Sequence, residues 1–189
     1  MDRGELARAL ARYVAEGPGE AASLDRMRRF VGGPTDPFAR DNPEGHVTGS
    51  ALVARPDGSA FLLVLHRKLS RWLQPGGHTE EEDATVFDAA LREAREETGI
   101  EAFDAPLDRA ILDVDVHPIP ARGKDPAHFH FDVRYLLTSR SDANPAASDD
   151  PTRPMRWSSY EEAVSLGIDA SLERALRKAR RVLLQSQQS

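Results

Sequence analysis

Apolar side chains fall at helical spacing from the first residues, where Leu6, Leu10, Tyr13 and Val14 form one stripe on an Arg-rich segment. The pattern predicts helices over residues 3–16 and 21–31, separated by Gly17-Pro18-Gly19 and ended by Gly32-Gly33-Pro34. Residues 35–45, with Pro37 and Pro43, read as a linker. Strands are expected over residues 47–55 and 60–66, joined by the turn Pro56-Asp57-Gly58-Ser59. A longer helix is expected from about residue 84 to residue 98, with Asp83 as its N-cap and Gly99 just past its end. Its apolar face is Phe87, Leu91 and Ala94.

Residues 110–117 and 128–137 alternate as strands do. A polar loop over residues 138–154 leads to a short strand at 155–157 and helices at 160–165 and 172–184. The last helix carries Leu172, Leu176, Ala179 and Leu183 on one face and the basic residues Arg174, Arg177, Lys178, Arg180 and Arg181 elsewhere, a packed amphipathic pattern. This order predicts an α+β fold, a mixed sheet with helices on it. It divides into a helical extension and linker over 1–45 and a main domain over 46–189.

Composition narrows the classes. The 189 residues suit one domain, and 40% apolar content supports a real core. No apolar run approaches the roughly 20 residues of a membrane span, and the first helix lacks the apolar core of a signal peptide. The expectation is a cytoplasmic protein without membrane contact. A net charge of −6 argues against bulk nucleic-acid binding. With no cysteine, thiolate nucleophiles and Cys-type metal sites are excluded.

The densest chemistry lies in residues 75–100. Glu93, Glu96 and Glu97 stand at i, i+3 and i+4 of the predicted helix, on one face. Like charges so close repel by a few tenths of a kcal/mol per pair (about 0.2–0.5), and a hard divalent cation would offset that cost. The cluster therefore reads as a metal site, beside the tight Pro75-Gly76-Gly77 turn. An exposed helix face laced with pairs such as Arg92 to Glu96 is the plainer alternative.

Gly77 followed by Arg92-Glu93-x-x-Glu96-Glu97-x-Gly99-Ile100 resembles the signature box of the Nudix hydrolase superfamily, and Trp72-Leu73-Gln74-Pro75-Gly76-Gly77 resembles its usual entry. Upstream the match departs: Asp83 stands where the pattern has Glu, and one extra residue separates it from Arg92. The resemblance implies a Nudix-like sheet between helices. It also implies Mg²⁺- or Mn²⁺-dependent cleavage of the pyrophosphate linkage in a nucleoside diphosphate derivative. In that scheme Glu97 and Glu96 bind the metal most directly, catalytic Glu93 is a third ligand or the base, and a carbonyl of Gly76 or Gly77 is an additional ligand. Arg92 holds the loop and orients a glutamate. Some such enzymes draw their base from a distant loop, a place that Asp149 or Asp150 would fill.

His128, His130, Asp132 and Arg134 share one strand face by period 2. They read as substrate-binding groups, as a zinc site through His-x-His, or as a satisfied polar face. His78 follows the Gly-Gly pair and either reaches a phosphate or lies exposed on the loop. A small-molecule nucleotide is the expected partner, and the N-terminal helices offer a surface for a homodimer. Two rivals share the fold. A non-catalytic nucleotide-binding module would not need three glutamates, and an isoprenoid diphosphate isomerase is expected to need a cysteine. A His-based zinc hydrolase is a third reading.

Overall fold

Two long strands organise the molecule. In the structure, a computed structural model describing residues 1–67, 69–124, 126–140, 145 and 153–186, β1 (Gly45–Ala54) and β7 (His128–Ser139) run parallel. Their register extends from Gly45 opposite Phe129 to Ala54 opposite Thr138. Around them lie α1 (Arg3–Arg12), α2 (Gly17–Gly32), β2 (Phe61–His66), β3 (Arg71–Leu73), β4 (Gly76–His78) and α3 (Val86–Thr98). They are followed by β5 (Phe103–Asp104), β6 (Asp113–Ile119), β8 (Met155–Ser158), α4 (Tyr160–Ser165) and α5 (Ala170–Ser186). One mixed sheet contains every described strand: the path β3-β2-β1-β7-β5, with β4 on β1, β6 on β7 and β8 on β2. The α+β expectation holds.

Alternation along the two central strands gives the sheet two unlike faces. Val47, Ala51, Val53, Phe131, Val133, Tyr135 and Leu137 point into a core shared with α1, α2 and α3. Phe30 of α2 stacks on Phe131 with ring centroids 3.8 Å apart. The other face carries Leu52, Ala54 and Leu136 beneath Leu172, Leu176 and Ala179 of α5, each leucine worth roughly 1.5–3 kcal/mol when fully buried. Its remaining half is polar, with His46, Thr48 and Ser50 opposite His130, Asp132 and Arg134.

The helix boundaries moved for identifiable reasons. α1 stops at Arg12 because Tyr13 turns extended and delivers its hydroxyl to the Leu112 carbonyl at 2.9 Å. Gly17-Pro18-Gly19, read as a separator, is the first turn of α2, where a proline's missing N–H costs nothing. The N-cap of α3 is Thr85 rather than Asp83, through a capping box with Asp88. Gly99, with φ of 66°, closes that helix as expected. Among the described residues no helix is long and apolar enough to cross a membrane.

α5 packs as its amphipathic pattern predicts, and part of its basic set turns inward as well. Lys178 and Arg174 point inward, where Lys178 donates to Glu20 at 2.7 Å and Arg174 to Asp113 at 2.8 and 2.9 Å. Burial alone would raise the Glu20 carboxyl, but hydrogen bonds from Lys178, Tyr13 and the Glu16 amide outweigh it and hold it down to about 2. This network ties α2 and α5 to β6.

Candidate active site

α3 sits unusually close to β1 because of Gly49. A Cβ there would lie 2.7 Å from the Val86 carbonyl oxygen and 3.0 Å from the Ala90 nitrogen. With Val86, Phe87, Ala90 and Ala94 buried against the sheet, the glutamate edge of the helix comes over β4. Gly76 donates its backbone N–H to Glu97 Oε2 at 3.0 Å, and the Glu93 carboxylate covers Gly77 so closely that any Cβ at Gly77 would collide with it. The other Glu97 oxygen is paired with Arg153. Glu96 is more exposed than Glu93 or Glu97.

Arg92 is the organiser of this corner. It donates to the His78 carbonyl at 2.8 Å, to Asp83 at 3.0 and 3.2 Å, to Glu93 at 3.1 Å and to Glu96 at 3.2 Å. Burial would weaken its charge, yet the Asp83 and Glu93 carboxylates raise its pKa and keep it cationic. Asp83 is buried and also accepts the Glu80 amide at 2.8 Å. It clamps Arg92 to the loop, and Arg92 in turn fixes two glutamates.

Desolvation raises the Glu93 carboxyl and lifts that of Glu97 to about 7 from an ordinary 4.5, against the opposing pull of Gly76 and Arg153. Three carboxylates, two of them largely desolvated, form the oxygen-donor set that Mg²⁺ and Mn²⁺ take. Arg92 and Arg153 now draw them to separate partners, so a metal ion would compete with Arg153 for Glu97. The donor chemistry fits a hard divalent cation.

Two consequences are measurable. Gly77→Ala pushes the Glu93 carboxylate aside without touching the core, and a misplacement of this kind costs on the order of a hundredfold in rate. kcat/KM should fall by about that factor while Tm stays near wild type. Glu97 also predicts a pH effect on the metal-free protein. Its folded pKa lies above its unfolded one, so the folded state holds the extra proton between them, and stability falls as pH rises from about 4.5 towards 7. Metal-free Glu97→Gln should therefore lose less Tm than wild type between about pH 5 and pH 8; equal losses would contradict this.

On the polar sheet face the predicted residues separate into two groups. Asp132 accepts from Thr48 at 2.9 Å, Ser50 at 2.8 Å, Gln74 at 3.3 Å and Arg134 at 2.9 Å. Arg134 is enclosed by Asp132, Asp113, Asp115 and Ser171. Both face inward and are engaged by protein partners. His78 and His130 lie half-buried at the open end of the face, with His128 beside them. Asp149 and Asp150 lie outside the described residues. His46, on which the sequence placed no weight, faces His130 across the β1–β7 pair, and its signal is visible only once that pairing is known.

The family model described as NUDIX domain matches residues 45–184. No curated protein matches the chain. Among solved structures, a C. elegans Ap4A hydrolase in a binary complex is similar at 21% identity with a TM-score of 0.57, covering 74% of this chain and 98% of that one. An E. coli dihydroneopterin triphosphate pyrophosphohydrolase is similar at 16% identity and TM-score 0.52, covering 70% of this chain and 92% of the other. At these identities the likeness is one of fold.

Proposed function

The chain belongs to the NUDIX family of hydrolases, and from that premise we propose that it cleaves the pyrophosphate linkage of a nucleoside diphosphate derivative with Mg²⁺ or Mn²⁺. The observation that carries this reading is the convergence of Glu93 and Glu97 on the Gly76-Gly77 strand, with Glu97 receiving the Gly76 amide at 3.0 Å. Glu93, Glu96 and Glu97 would hold the ion, with the Gly77 carbonyl beside them. The ion, when bound, would neutralise charge developing on the pyrophosphate oxygens and ease deprotonation of water.

The chain's own groups divide the remaining work. Arg92 is a positioning residue: through Asp83 and the His78 carbonyl it fixes the loop, and through Glu93 and Glu96 it sets the carboxylate rotamers. Burial raises the Glu93 carboxyl above its ordinary value, which suits it to accept a proton from water. Glu96, more exposed, is the second candidate for that role. The substrate contacts beyond the metal fall in this reading to His78, whose carbonyl Arg92 holds, and to His128 and His130 of the polar sheet face. Asp149 and Asp150, outside the described residues and a few positions before β8 in sequence, are the alternative proton acceptors in this proposal. A cytoplasmic location and a homodimer through α1 and α2 belong to this proposal too, as does the division of the chain near residue 45.

Metal removal tests the reading. After exhaustive chelation the protein should release no product from a panel of nucleoside diphosphate derivatives, and added Mg²⁺ or Mn²⁺ should restore release. Full turnover by the stripped protein in the presence of chelator would sink it. Tight nucleotide binding with no turnover at any metal concentration would favour a non-catalytic binding module.

A further inference from the structure

Five of the six histidines of this chain gather at one place. His46 stands opposite His130 in the parallel β1–β7 register, and His117 stands opposite His130 from β6. His78 arrives from β4, paired opposite Thr48. The His46 ring centroid lies 4.8 Å from His78, 4.9 Å from His130 and 5.1 Å from His128. We infer that His46, His78 and His130 form a site for one divalent transition-metal ion of the zinc class, distinct from the glutamate cluster on α3.

Two observations support it. One ligand atom from each of the three rings lies within 4.8 Å of the others, and among the described residues this is the one such convergent group. Three nitrogens around a tetrahedral ion at about 2.0–2.1 Å stand roughly 3.3 Å apart, so small side-chain rotations close the site. Second, His46 is only 3% exposed and neither of its ring nitrogens has a hydrogen-bond partner. An orphaned buried polar group costs about 1–3 kcal/mol and calls for a partner.

The donor set also selects the ion. Three imidazoles suit zinc and its neighbours, whereas Mg²⁺ prefers oxygen and holds its water. A three-nitrogen site leaves a fourth position. His128 is placed at its margin with Nδ1 bound to the Pro126 carbonyl at 2.9 Å, so that the proton sits on Nδ1 and the Nε2 lone pair is available. His117 is different: although burial disfavours its charge, Asp115 at 3.0 Å raises its pKa, and it serves as a flanking group rather than a ligand.

Tag-free protein, stripped by chelation, should be titrated with Zn²⁺ by calorimetry and with Co²⁺ by visible absorption. Wild type should bind one zinc per chain, gain Tm on binding, and give the intense absorption of four-coordinate cobalt. His78→Ala, at the half-buried rim, should fold and weaken zinc binding by about a hundredfold or more, as should His130→Ala. His46→Phe, which fills the buried space, should do the same and keeps the test open if another variant misfolds. Glu97→Gln should bind zinc as wild type does, even though the proposed hydrolysis is lost, so the two sites fail independently. The inference is overturned if wild type takes up no zinc, if the histidine variants bind it unchanged, or if Glu97→Gln alone removes it.

Discussion

Replacing Glu97 with glutamine should reduce kcat/KM for hydrolysis by at least about a thousandfold, near 4 kcal/mol of transition-state stabilisation at 1.36 kcal/mol per decade. The substitution keeps the side chain's size and its acceptance of the Gly76 amide through the remaining oxygen. It removes the charge that a divalent ion needs, and losing one preorganised electrostatic contact at a reacting centre already costs roughly a hundred- to a thousandfold. The fold should not suffer, because burial disfavours the Glu97 charge in the metal-free protein and lifts its carboxyl to about 7. Steady-state kinetics at saturating Mg²⁺, with Tm measured on the same preparations, separates the two effects. Unchanged kcat/KM would remove Glu97 from the site.

The largest stability effect should come from the buried pair Glu20–Lys178, far from that chemistry. Glu20 is fully buried and Lys178 is 4% exposed. Lys178 donates to Glu20 at 2.7 Å and to Asp113 at 3.4 Å, and Tyr13 adds its hydroxyl to the same cluster. Lys178→Met leaves the Glu20 charge buried without its main cation, at a cost of about 3–5 kcal/mol. For a chain of this size that is a fall in Tm of roughly 6–20 °C. The double replacement Glu20→Met with Lys178→Met should recover half or more of that loss, since apolar groups of similar volume replace a buried pair at little net cost. Thermal unfolding of both single variants and the double closes the cycle. Additive losses would mean that the two residues do not act as a pair.

The grouping of the glutamates on one helix edge was legible because these residues are local. Gly77 to Ile100 is one continuous stretch, helical period places three carboxylates on one edge, and Gly99 marks the end of the helix. Asp83 was misread as a cap because a carboxylate just before a helix satisfies either an amide or a cation. Arg92, nine residues on, claimed it, and Thr85 took the cap. What depends on pairing between distant strands was not legible. His46 and His130 are 84 residues apart and meet only through the parallel β1–β7 register.

The same limit hid the interior role of α5. Arg174 and Lys178 look like solvent charges until Asp113 and Glu20 are seen beneath them. Strands of two or three residues, such as β3, β4 and β5, are too short to show a period. Their presence is decided by neighbours: β4 forms because Ser50 to Thr48 of β1 offers it an edge.

The most direct test of the carboxylate site is a titration of metal-stripped protein with Mn²⁺, reading the free ion by electron paramagnetic resonance. If Glu93, Glu96 and Glu97 hold the catalytic ion, wild type depletes the free signal and the Glu93→Gln and Glu97→Gln variants each bind at least about tenfold more weakly. Binding of Mn²⁺ by both variants with wild-type affinity would contradict the assignment of the metal to this helix.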